Sequence, residues 1–167
     1  MRRIVVGVMG GGDGATAETC RLAGELGAAI ALAGWVLLCG GRNAGVMDAA
    51  ARGAAASGGL TIGILPDSNL ERASPAIQIP ILTGMGDARN QINVLSSQVV
   101  IALSGGAGTL SEIALALKAE KPVILLNFPV YDLFAPAAPP GLLHQVASVP
   151  GAIALARRWL SDGQVRG

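Results

Sequence analysis

Short apolar runs alternate with amphipathic stretches along the whole chain. Residues 4–9, 35–39, 60–65, 99–103 and 123–126 are nearly unbroken runs of Val, Ile, Leu and other apolar residues, most of them flanked by glycine. They are too short for helices, and the lack of a polar face is that of strands buried on both sides of a parallel sheet. Residues 76–79 predict one more short strand. Between these runs the apolar period lengthens to that of a helix. Thr16 reads as the N-cap of a helix to about Ala33, and Gly34 as its stop. Further helices are predicted over 46–56, 87–96, after Thr109 to Ala119, and over 152–160. In the helix over 87–96, Asp87 is the expected N-cap, with Ile92 and Leu95 facing inward. Residues 66–74 and 129–140 are rich in turn formers and read as loops.

Strand and helix alternate throughout, which predicts an α/β fold: a Rossmann-like three-layer sandwich with a mostly parallel sheet flanked by helices. One domain over 1–167 is expected, with no linker or internal repeat beyond the βα alternation. Three glycine-rich loops follow strand ends: Gly10 to Gly14, Gly40 to Gly45 and Ser104 to Thr109. In such folds ligands sit outside the carboxyl ends of the strands, so all three loops should share one edge.

Composition narrows the partners. The 167 residues are 51% apolar but only 3% aromatic, so packing must come from close contact between small side chains. A formal net charge of +1 gives no electrostatic case for nucleic acid or a membrane surface. No apolar run approaches the roughly 20 residues of a membrane span, and the start is too short for a signal peptide, so a cytoplasmic protein is expected. Cys20 and Cys39 have no metal-ligand spacing and read as buried free thiols; no metal site is predicted.

The third loop carries the most chemistry. It closes one strand and opens one helix, an arrangement that turns free backbone N–H groups toward an anion. Ser104, Gly105, Gly106, Gly108 and Thr109 are the expected phosphate cradle, with Thr109 also able to cap the helix. Glu112, one turn further, conflicts with this. A carboxylate there repels a phosphate unless it faces another part of the ligand, which favours a chemical role for it. Gly11 and Gly12 of the first loop suit a phosphate or nucleoside, or simply a tight turn. An NAD fingerprint would also need an acidic residue at the end of the second strand, and none is there. Gly41, Arg42 and Asn43 place a guanidinium at a second glycine-lined strand end, either to grip an anion or to sit in solvent. Arg89 lies in a first helical turn, where the dipole disfavours a cation, so an anionic ligand or Glu112 is its expected partner. Asn90 and Asn93, on neighbouring helical positions, either bond a ligand or lie on the surface, and the surface reading is preferred; His144 also reads as a surface residue, which leaves Ser104 without a triad. No lysine stands at a glycine-lined strand end, which argues against pyridoxal phosphate.

Together the segments 84–90 and 104–112 resemble the Lonely Guy-type phosphoribohydrolases, once labelled lysine decarboxylases. Their signature is Pro-Gly-Gly-x-Gly-Thr-x-x-Glu after an Arg-Lys pair, and residues 40–47 resemble their Gly-Gly-Gly-x-x-Gly-x-Met loop. Here Ser104 replaces the proline, Asn90 the lysine and Arg42 a glycine. The Gly-Met-Gly-Asp-Ala-Arg-Asn and Ala-Gly-Thr-Leu-Ser-Glu-Ile-Ala forms look closer to a sister branch, the molybdenum cofactor carrier proteins. That resemblance implies a homo-oligomer holding molybdopterin, or a purine nucleotide, by its phosphate. A molybdoenzyme or a cofactor-synthesis protein would be the delivery partner. The phosphoribohydrolase resemblance implies instead hydrolysis of a nucleoside 5′-monophosphate at its N-glycosidic bond, with Arg89 and Glu112 as catalytic residues.

Overall fold

A computed structural model describes residues 2–161; Met1 and residues 162–167, the ends of the expected domain, lie outside the described residues. Seven strands form one sheet in the order β4-β3-β2-β1-β5-β6-β7. They are β1 (Val5–Met9), β2 (Val36–Cys39), β3 (Thr61–Leu65), β4 (Ile79–Leu82), β5 (Val99–Ala102), β6 (Val123–Leu126) and β7 (Leu143–Val146). Every neighbouring pair is parallel. The Rossmann-like three-layer fold expected from the sequence is therefore present. Successive strands run outward from β1 in one direction, then restart at β5 on its other side, so the switch point lies between β1 and β5.

Two apolar cores lie on the two faces, as side-chain alternation along the strands requires. Val6, Leu37, Ile101 and Ile124 point to the face covered by α1 (Ala17–Leu32), α2 (Gly45–Ala56) and α6 (Val149–Ser161). Leu38, Val100, Ala102 and Leu125 point to the other, with α3 (Asn90–Leu95) and α4 (Ala107–Lys118). Thr16 caps α1 as expected, its hydroxyl accepting from the Thr19 N–H at 3.1 Å, and Gly34 turns the chain at φ +79°.

Several local expectations change. The helix expected over 87–96 is divided into a 3-10 turn, Gly86–Arg89, and the six-residue α3. A 3-10 turn advances with about three residues per turn rather than 3.6, so it shifts the phase of the helix after it. Asn90, Asn93 and Val94 face inward, while Leu95 is 52% exposed. Asp87 makes no side-chain cap. Neither does Thr109, because α4 begins two residues earlier with Gly106 as its N-cap. The strand expected at 76–79 forms instead at Ile79–Leu82, and Pro80 is tolerated because β4 is an edge strand. β7 was not expected. It carries His144, whose ring meets Trp159 of α6 at 5.4 Å, so this histidine is half-buried rather than a surface group. The 129–140 loop contains a one-turn helix α5 (Tyr131–Phe134) and a second 3-10 turn (Ala135–Ala137). Cys39 is buried and Cys20 only partly so. No helix among the described residues is long and apolar enough to cross a membrane.

Candidate functional site

The three glycine loops meet at the switch point. Gly11 N–H donates to Ser104 O at 3.0 Å, and Val46 N–H donates to Gly11 O at 2.9 Å, so the first loop is tied to the other two. Between them lies a pocket of ≈170 Å³ whose floor is Val8, Met9 and the glycines at 10–12. Gly40 and Met47 form one wall, Arg89 and Asn90 a second, and Gly106, Gly108, Thr109 and Glu112 a third. A second depression of ≈420 Å³ shares Gly11, Gly12 and Gly106 with it and extends between the N-termini of α1 and α4, over Ser104 and Gly105. The first intrahelical bond of α4 runs from Leu110 N–H to Gly106 O at 3.0 Å. The amides of Ala107, Gly108 and Thr109 precede it and stay free for a ligand.

Arg89 is 9% exposed, and its Nε has no hydrogen-bond partner. No described carboxylate lies within 4.0 Å of it. Gly40 makes room for it: a Cβ there would overlap the Arg89 guanidinium. Burial lowers the pKa of Arg89, with nearby Glu112 opposing that shift. Glu112 is 7% exposed, and burial pushes its carboxyl up to about 7, against the opposing effects of Asn93 and Arg89. Asn93 Nδ2 donates to Glu112 Oε1 at 2.8 Å. Asn90 Nδ2 donates to Ser111 Oγ at 3.0 Å, fastening α3 to α4. A buried cation, free helix-end amides and a carboxyl that titrates near neutrality can bind an anion and exchange a proton beside it.

The profile of the SLOG cluster4 family matches residues 3–153. The chain belongs to the SLOG cluster4 family. Among solved structures, the molybdenum cofactor binding protein of Rippkaea orientalis is 51% identical with a TM-score of 0.93, covering 96% of this chain and 99% of that one. The molybdenum cofactor carrier protein of Chlamydomonas reinhardtii is 47% identical with a TM-score of 0.89 over the same shares. A cytokinin riboside 5′-monophosphate phosphoribohydrolase of Mycobacterium tuberculosis is 41% identical over 99 residues, 58% of this chain and 53% of that protein.

In this SLOG cluster4 chain, not every residue singled out from sequence reaches the pocket. Gly11, Gly12, Gly106, Gly108, Thr109, Arg89 and Glu112 line it, while Ser104 and Gly105 line the adjoining depression. Gly41, Arg42 and Asn43 line neither. The Arg42 guanidinium is held by Asp67, with Nε and Nη2 donating to the two carboxylate oxygens at 3.1 and 2.8 Å. That guanidinium holds the Asp67 carboxyl below the usual carboxylate range. Asn93, read as a surface residue, is fully buried against Glu112. The missed signal was the spacing of Asn90, Asn93 and Val94, the i, i+3, i+4 stripe of an inward helical face.

Proposed function

We propose that this protein binds and carries molybdopterin, or a purine nucleotide in its place, with the phosphate on the 105–109 loop. The observation that carries the reading is Arg89, a buried guanidinium with no described carboxylate within 4.0 Å, which lines a pocket that also receives the free amides of α4. A buried guanidinium without a counter-ion is costly, and an anionic ligand is what relieves it. These groups fit a phosphate monoester. Val8, Met9 and Met47 give the pocket an apolar side, and the adjoining depression offers room for a ring system. The molybdenum cofactor neighbours, alike over nearly the whole chain, favour a pterin cargo. A cytoplasmic homo-oligomer that hands its cargo to a molybdoenzyme or a cofactor-synthesis protein completes the reading.

A second reading rests on Glu112. Its carboxyl titrates near neutral pH, close to the optimum for a general base or acid. In a phosphoribohydrolase the ionised form would stabilise the ribosyl cation or activate water. Water would then add to the ribose carbon, the N-glycosidic bond would break, and the base would leave with a proton. Arg89 would hold the phosphate or orient Glu112. The Mycobacterium tuberculosis relative supports this over the shared 99 residues.

One comparison separates the two. The protein is mixed with molybdopterin under nitrogen, and separately with AMP, GMP and cytokinin monophosphates. The carrier reading expects thermal stabilisation by molybdopterin or GMP and no free base across the panel. Base release that disappears in Glu112→Ala would overturn it in favour of the hydrolase.

A further inference from the structure

Glu112 stands one helical turn from the amides expected to hold an anion, the conflict already visible in the sequence. The two oxygens of its carboxyl stand in different surroundings. Oε1 accepts from Asn93, whereas Oε2 makes no hydrogen bond among the described residues. Oε2 is also absent from the buried polar atoms that lack a partner, so it opens on the pocket. The groups around it come from four elements. Arg89 and Asp87 belong to the 3-10 turn, Asn90 and Asn93 to α3, Thr109 to α4 itself, and the Cys39 thiol stands at the end of β2. Arg89 is the cation among them, and Arg42 is committed to Asp67.

With Asp87 and Glu112 both ionised, the pocket wall is already more negative than positive, and a phosphate dianion adds two further charges. Like charges in a desolvated site interact strongly, and the carboxyl relieves this by taking a proton. A proton on Oε2 also turns a repelling oxygen into a donor aimed at the ligand, while Oε1 keeps its bond from Asn93.

We propose that Glu112 meets the ligand as a neutral carboxylic acid, donating from Oε2 to an anionic oxygen, so that docking a phosphate dianion takes up one proton from solvent. This rests on the phosphate-binding reading above and adds a coupling: rising pH weakens binding and favours release. No bond to carbon is made or broken; the proton enters with the ligand and leaves with it.

The test is calorimetric titration of the whole protein with GMP and with molybdopterin between pH 7.0 and 8.5, where a phosphate monoester (second pKa about 6) is already a dianion. With Glu112 half-protonated near pH 7, Kd should rise about fifteenfold across that span. Binding heats compared in two buffers of different ionisation enthalpy should show proton uptake approaching one at pH 8.5. Glu112→Gln keeps an acceptor for Asn93 and offers a permanent donor to the ligand. Its Kd should change less than about threefold, with no proton uptake. A wild-type Kd that is flat with pH, or an equal slope in Glu112→Gln, overturns the proposal and leaves phosphate binding intact. Absence of binding by both probes in both proteins overturns the phosphate reading along with it.

Discussion

At the scale of single residues, burial makes Glu112 a source of pH-dependent stability. Its folded pKa of about 7 lies above the ordinary 4.5, so folding favours the protonated form. That advantage is complete below pH 4.5 and is lost as pH rises through 7. The difference amounts to as much as about 3 kcal/mol. Thermal melts of the ligand-free protein should therefore show lower stability at pH 8 than at pH 5, and Glu112→Gln should flatten the dependence. An unchanged pH profile in the variant would contradict the assignment. Arg89 acts on the ligand rather than on the fold. Arg89→Ala should weaken GMP or molybdopterin binding by ~1–3 kcal/mol, read by titration at constant pH, since a charge-assisted contact is removed. Equal affinity in the variant would remove Arg89 from the anion site.

At the scale of elements, a protein poor in aromatics packs its helices through small residues. The α1 and α2 axes approach closely at Gly27 and Gly53: a Cβ on Gly27 would strike the Ala50 carbonyl, and one on Gly53 the Gly24 carbonyl. Gly27→Ala should destabilise the protein by ~1–3 kcal/mol in urea unfolding, the usual penalty of overpacking. Gly14→Ala, with nothing within 4 Å of the added carbon, should be near neutral. The Arg42–Asp67 pair works at this scale too. It fixes the 66–74 loop, whose Asp67 carbonyl in turn accepts from Gly84 N–H at 3.1 Å on the way to Arg89. Arg42→Gln should speed hydrogen exchange across 66–74 while leaving GMP affinity within about twofold, because the side chain does not reach the pocket. A large affinity loss would return Arg42 to the ligand-binding role its glycine-rich setting suggests.

At the scale of the molecule, the sheet is covered unevenly. Strand β4 leaves Ile79, Ile81 and Leu82 42–44% exposed, with Leu70 and Met85 also more than half exposed. An apolar edge strand is an interaction surface or a hazard. A second copy of this chain is the expected cover, so light scattering should give a mass above that of one 16.7 kDa chain. Ile81→Lys with Leu82→Lys should shift the mass toward the monomer with little change in the circular dichroism spectrum. A monomeric wild type at tens of micromolar would contradict the homo-oligomer.

What the sequence determined by itself is what local chemistry can specify. Short, nearly unbroken apolar runs made β1, β2, β3, β5 and β6 legible, because a strand buried on both faces needs no partner to declare itself. β7 escaped because an edge strand such as Leu-His-Gln-Val, with alternating burial, carries no such run. The parallel order followed from the βα alternation, and with it the meeting of three glycine loops at one edge. Tertiary structure decided which side chains those loops would share. Arg42 and Arg89 look equivalent along the chain, each close to a glycine-rich turn. Folding gives the first a carboxylate and the second a buried slot with none within ion-pair reach, and only distant contacts make that distinction. The phase of α3 was decided the same way. One tight turn at Gly86–Arg89 sets that phase and turns Asn93 toward Glu112; the i, i+3, i+4 spacing of Asn90, Asn93 and Val94 fits this face but does not by itself select it over the face of Ile92 and Leu95.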